Sequence, residues 1–169
     1  MKKKIIPILL IIASVLLLSS CDRIKGNIFM SEEKRADIRM EQIISAIKEK
    51  DRDSLKSLFS KKALAEADSI DGGMDCLFDW LQGDIVSWKR EGLSSDKSIE
   101  QGKQSLMIRF SILINTNKDD FVIFVIDYNT DTINPDNEGV YMLETSKASY
   151  SGEWDFWQNR MCAGISVIE

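Results

Sequence analysis

The spacing of apolar residues changes once along this chain, at Gly83, and that change decides what it can fold into. From Ser31 to Gly83, apolar residues recur every three or four positions; after it they alternate or run together in short blocks. The first spacing marks one face of an α-helix, the second a strand. Helices collected at one end and strands at the other predict an α+β fold, with N-terminal helices packed on a curved antiparallel sheet of about four strands.

Ser31 followed by Glu32 and Glu33 is a helix start, because the hydroxyl can accept from a free N–H and the acids sit in the positive first turn. Ala36, Met40, Ile43, Ile44 and Ile47 then follow the stripe of an amphipathic helix that should end near Lys50. Asp51-Arg52-Asp53 breaks the pattern. Asp53 is expected to cap a second helix that buries Leu55, Leu58 and Phe59 and runs on through Ala63, Leu64 and Ala67. A third is expected from about Asp71 to Gln82, with Met74, Leu77, Phe78 and Leu81 inward, Cys76 and Trp80 together on another side, and Gly83 as its stop.

Beyond Gly83, Ile85 to Glu91 reads as a short strand with Val86 and Trp88 on one face. A longer one begins near Ser98, where Leu106, Ile108, Phe110, Ile112 and Ile114 alternate with Met107, Arg109, Ser111, Leu113 and Asn115. Phe121 to Tyr128 is apolar on both sides and so belongs in the middle of the sheet. After an Asn134-Pro135-Asp136-Asn137 turn, Gly139 to Thr145 is the last strand. The tail, with Trp154, Phe156 and Trp157, is expected to fold back over an edge or pocket.

Not all of the chain is available to this fold. Lys2, Lys3 and Lys4 precede an apolar run from Ile5 to Leu18, followed by Ser19, Ser20 and Cys21. Fourteen residues reach roughly 20 Å as a helix, short of the ~30 Å hydrocarbon core. Pro7 weakens the run further. Small Ser19 and Ser20 leave the backbone open to a peptidase, and the Cys21 sulfur is a nucleophile for diacylglycerol transfer. Leu18-Ser19-Ser20-Cys21 resembles, at every position, the lipobox of bacterial lipoproteins. An ordinary signal peptide cut elsewhere, or an uncleaved anchor helix, is the competing reading.

The expected division is a lipoprotein signal peptide over 1–20, lipidated Cys21 and a tether over 21–30, and one α+β domain over 31–169. The location that follows is extracytoplasmic, lipid-anchored to the bacterial cell membrane, and two acyl chains are enough to hold it there. Removing the signal and its three lysines takes the net charge from −5 to −8. So acidic a surface repels nucleic acid and anionic lipid, and neither is expected as a partner beyond the lipid anchor itself.

The chain has no histidine, which removes Ser-His-Asp and Cys-His catalysis and histidine-ligated metals. Its nine glycines form no phosphate loop, and neither a metal nor a cofactor is expected. Cys76 and Cys162 remain as an even pair in an exported protein, which permits a disulfide; a buried free thiol is just as ordinary in their apolar surroundings.

The segment Ala46-Ile47-Lys48-Glu49-Lys50-Asp51-Arg52-Asp53-Ser54-Leu55-Lys56-Ser57-Leu58-Phe59-Ser60 resembles the helix-turn-helix opening of nuclear-transport-factor-2-like, cystatin-like folds. More narrowly, the lipobox, the Leu77-Phe78 helix, Gly83-Asp84-Ile85 and the Asn-Pro-Asp-Asn-x-Gly turn are similar to a family of uncharacterised bacterial lipoproteins, domain of unknown function 5104. The resemblance implies a cone-shaped sheet around a long helix, with an apolar pocket open at one end. It fixes no single chemistry.

Three functions compete. A non-catalytic binding domain would take a small apolar ligand, with Trp80, Trp88, Phe110 and Tyr128 as candidate lining. Packing in the core is the ordinary alternative for each. A small isomerase- or dehydratase-like enzyme would need a desolvated carboxylate facing a phenol, and Asp127-Tyr128 is the only suggestive pair, though strand neighbours point to opposite faces. A protein-partner module, for example of immunity type, or a homodimer would use the mixed outer face of Met107, Arg109, Ser111 and Leu113. A solvated sheet has the same alternation.

Overall fold

The computed structural model describes residues 30–150 and 162–168. The signal, Cys21, the tether up to residue 29, and the tail residues Trp154, Phe156 and Trp157 lie outside the described residues. Contacts separate an N-terminal unit, Met1–Lys34, from a larger one, Arg35–Glu169. Within the first, the Ser31 hydroxyl accepts from the Lys34 N–H at 3.3 Å, the cap its sequence calls for.

That cap opens α1, Glu32–Glu49, whose buried residues are Ala36, Met40, Ile43, Ile44, Ala46 and Ile47. At its end the Asp51 N–H donates to the Ala46 carbonyl at 2.9 Å and the Lys50 N–H to that of Ile47 at 3.1 Å. This pair of bonds forms a Schellman stop, and Lys50 holds the left-handed position (φ 51°) that glycine usually fills.

The second predicted helix is in fact two. Asp51, not Asp53, caps α2, Arg52–Ser57, by accepting from the Ser54 N–H at 3.0 Å; Ser60 caps α3, Lys61–Glu66, by accepting from Ala63. The sheet causes the break. The Ser60 N–H donates to the Val140 carbonyl and the Val140 N–H to that of Leu58, so these residues leave the helix to bridge the start of a strand. Gly139 permits the approach, since a Cβ there would lie 2.9 Å from the Leu58 oxygen. Helix α4, Ile70–Trp80, buries Ile70, Met74 and Leu77. Leu81 ends it, so Gly83 belongs to the lead-in to the sheet and not to the helix stop.

Five strands follow, in spatial order β1-β2-β3-β4-β5: Ile85–Glu100, Lys103–Thr116, Asp120–Asp131, Gly139–Lys147 and Gly164–Val167. The first four form an antiparallel meander, as expected. The fifth was not expected; it lies in the tail and pairs parallel to β4, Leu143 beside Ile165, so the sheet is mixed. The first strand also runs to Glu100 and not Glu91, with bulges near Val86 and Gly92. Gln101 and Gly102, both at positive φ, make the tight turn to β2. The bulge leaves Val86 68% exposed while Trp88 packs on the core.

Ile108, Phe110, Ile112 and Ile114 of β2 are buried, as alternation required, against Ile123, Val125 and Leu143 and the helical residues Ile43, Ile44, Leu55, Met74 and Leu77. Central β3 is buried on both faces from Phe121 to Asp127. Met107, Arg109, Ser111 and Leu113 occupy the opposite face of β2 and are each half-buried. At the far edge α4 covers β5 so closely that a Cβ on Gly73 would stand 2.8 Å from the Ile165 carbonyl oxygen. Covering an edge with a helix blocks further strand pairing there.

Two substitutions test these contacts by chemical denaturation. Lys50→Gly should raise stability by about 0.5–1 kcal/mol by relieving the left-handed backbone. Gly73→Ala would stabilise by about 1 kcal/mol on helix propensity alone, but the Ile165 contact should reverse the sign and cost about 1–3 kcal/mol. A stabilised Gly73→Ala protein would contradict the close approach of α4 to β5.

Candidate functional site

Two sets of polar residues on α1 reach the sheet. On one side Arg35 Nη1 donates to Asn129 Oδ1 at 2.6 Å and Arg39 Nε lies 3.1 Å from Asp127 Oδ1; both partners are on β3. On the other, Arg90 Nε of β1 donates to Asp37 Oδ1 at 2.8 Å and Trp88 Nε1 to Glu41 Oε1 at 3.0 Å, with Lys48 over the Trp88 ring at 4.8 Å. The i, i+4 spacing of Arg35 with Arg39, and of Asp37 with Glu41, stacks each set along the helix axis.

Asp127 is the chemical oddity of this layer. It is 0% exposed, directly beside Ile108 on β2 and Val140 on β4. Neither carboxylate oxygen has a well-directed hydrogen bond, so the guanidinium of Arg39 meets it as a charge more than as a donor. Isolated, a carboxylate in such surroundings would be very costly. It therefore faces a cation, not the phenol or second carboxylate that an isomerase-type acid/base pair needs.

Other buried or phenolic groups are also occupied. Asp131 accepts from the Ile133 and Asn134 N–H groups at 3.0 and 2.7 Å and from Asn137 Nδ2 at 2.8 Å. Burial alone would raise its carboxyl, but these bonds and one from Ser105 outweigh it and hold the group below the usual range. Glu144 accepts from Ser166 at 3.4 Å. Tyr141 donates to Glu66 Oε2 at 2.8 Å. That bond, then burial, pushes its phenol up to about 12 and makes it a reluctant proton donor.

The four aromatic residues proposed to line a pocket do not converge. Phe110 is 1% exposed in the core, Trp88 is held by Glu41 and Lys48, and Tyr128 stands edge-on to Tyr141 with ring centroids 6.2 Å apart. Burial raises the Tyr128 phenol, against the pull of Arg109. Asp127 and Tyr128 face opposite sides of β3, as neighbours on a strand do.

Of the four, Trp80 alone borders a ligand-sized space among the described residues. A groove of about 770 Å³ between α4 and β5 is lined by Trp80, Cys76, Gly73 and Asp79 on the helix, Ala67, Asp68 and Ser69 before it, and Cys162, Ala163, Ile165, Ser166 and Val167 opposite. Its size falls in the range of small-molecule sites. The Trp80 indole N–H is buried and has no hydrogen-bond acceptor among the described residues. Cys76 and Cys162 both border this groove as exposed free thiols, a placement their sequence neighbours did not suggest.

Sequence reading overlooked Asp68 and Asp79. The signal was present: Asp71, Asp75 and Asp79 recur every four residues on α4, and Arg52 and Lys56 supply cations for only the first two. Asp68 and Asp79 have no ion-pair partner among the described residues. No group of three or more Cys, Asp or Glu among the described residues could hold a metal ion.

The sequence model of one family, a domain of unknown function (DUF5104), matches residues 42–148. No curated protein matches the chain. The matched span covers Asp127 and the other sheet partners of these polar links, but Arg35, Asp37, Arg39 and Glu41 lie before it, and it stops short of β5.

If Asp127 is held structurally, Arg39→Met should destabilise the protein by about 3–5 kcal/mol in chemical denaturation, the cost of leaving one buried charge unpaired. A loss below about 1 kcal/mol would show that Asp127 is solvated or neutralised some other way.

Proposed function

We propose that this chain, which belongs to the DUF5104 family, is a lipid-anchored, extracytoplasmic and non-catalytic binding domain. Its fold is read as a nuclear-transport-factor-2-like, cystatin-like cone of helices on a curved sheet. The observation that carries the reading is the α4/β5 groove, which combines ligand-sized volume with an aromatic wall, Trp80. Affinity in such a site comes from the apolar walls, and orientation from the few polar groups.

Catalysis is the weaker reading because the groups it would use are engaged elsewhere. Asp127 is matched by Arg39, Asp131 holds a turn, and the Tyr141 hydroxyl is committed as a donor to Glu66. A general acid or base needs a proton that moves near neutral pH.

The anchor rests on Leu18-Ser19-Ser20-Cys21 and the lysine-led apolar run before it. No helix among the described residues is long and apolar enough to cross a membrane. Lipid at Cys21 and a short tether would hold the domain close to the bilayer; nine residues reach about 15–18 Å.

Two measurements test the proposal. Growing cells fed a labelled lipid precursor should tag the protein, and a Cys21→Ala variant that still carries label would overturn the anchor. Thermal denaturation of the full-length chain across a metabolite panel should reveal a stabilising ligand, since binding to the folded state alone raises the midpoint. Steady turnover of any panel compound, abolished by a substitution that leaves the fold intact, would favour the small-enzyme reading instead.

A further inference from the structure

The clefts among the described residues differ in the charge of their walls. One, between Lys61, Lys62 and the Asn134–Asn137 turn, carries two lysines beside Asp136. A smaller one near Phe78 and Leu81 carries Lys48 and Lys50 beside Asp84. The α4/β5 groove has Asp68 and Asp79 and no basic lining residue at all.

We propose that this groove binds a small organic cation, an ammonium carried on an apolar or aromatic body. The inference rests on the binding reading above and names the class of ligand. Asp71 and Asp75, on the same helix, are already held by Arg52 and Lys56, whereas Asp68 and Asp79 are exposed and have no ion-pair partner among the described residues. Asp79 lies in the last turn of α4, where the helix dipole is itself negative. Carboxylate and dipole therefore repel each other and jointly favour a cation.

The walls suit the rest of such a molecule. Trp80 offers an aromatic surface on which an ammonium or a ring can rest, and Ala163, Ile165 and Val167 offer aliphatic contact. A neutral ligand would leave the two charges unmet, and an anion would be repelled by both. The acidic balance of the whole chain, −5 before processing, also draws cations in.

The test uses the full-length chain in a non-ionic detergent, under reducing conditions that keep both thiols free. Phenethylammonium, phenethyl alcohol and phenylpropionate share a ring and differ in charge. The reporter is the Trp80 indole N–H resonance, assigned by its loss in a Trp80→Phe variant. Phenethylammonium should give a saturable shift that weakens about tenfold in an Asp68→Asn, Asp79→Asn double variant. Asp79→Asn alone, at an exposed position, should move affinity in the same direction without disturbing the fold.

Phenethyl alcohol binding as tightly as the ammonium, or ammonium binding indifferent to both substitutions, would overturn the cation preference and leave the groove standing as an apolar site. Preference for phenylpropionate would overturn the cation preference as well. No shift with any of the three would overturn the cation preference and also remove the groove from the proposed binding function.

Discussion

Asp127 sits on the central strand with no access to solvent, so its charge has to be met from within the fold, and Arg39 meets it. That requirement fixes more than one contact. Arg39 can reach β3 only if α1 lies across the sheet with its Ile43 and Ile44 stripe inward, which is also what the apolar core demands. Arg35 to Asn129, and Asp37 and Glu41 to β1, then set the angle and height of the helix along both sides. Hydrophobic burial is non-directional and would tolerate many helix positions. The polar links choose among them.

The same pair shapes the functional reading. A buried carboxylate in a small α+β domain invites an acid/base role. Here its charge is met by Arg39, and the remaining carboxylates and phenols with defined partners serve turns and cross-links. The groove proposed to take a ligand lies at the other edge of the sheet, where α4 covers β5 without filling the gap beside Trp80, Asp68 and Asp79. Core charge and groove charge thus differ: Asp127 is compensated by Arg39, while Asp68 and Asp79 have no ion-pair partner among the described residues.

Much of the fold was legible because burial follows period. The α1 stripe, the inward face of β2 and the two-sided burial of β3 all follow from spacing. The misses have local causes. Leu58 to Ser60 left their helix to bond Val140, a long-range contact that no window of sequence contains. Gln101-Gly102 makes a two-residue turn without the Asn-Gly or Asp-Gly signal that would have announced it. Strand β5 has only four residues and gains its pairing from β4 and its cover from α4.

The groove was half legible. Cys76 and Trp80 were placed together by helical spacing, and both line it. Asp79 belonged to a visible four-residue acidic repeat, but which of its members would find a lysine or arginine depends on where α2 packs. Trp88, Phe110 and Tyr128 are aromatic residues on three different strands, and nothing in their sequence neighbours tells a core ring from a pocket wall.

The structural role of the Arg39–Asp127 pair is most directly tested by a double-mutant cycle on the two residues, read by chemical denaturation. If the pair is purely structural, Arg39→Met and Asp127→Leu should each be strongly destabilising. The double variant should recover to within about 1 kcal/mol of the parent, because no buried charge is left. A double variant whose loss equals the sum of the two single losses would show that Asp127 and Arg39 act independently, and would contradict the account.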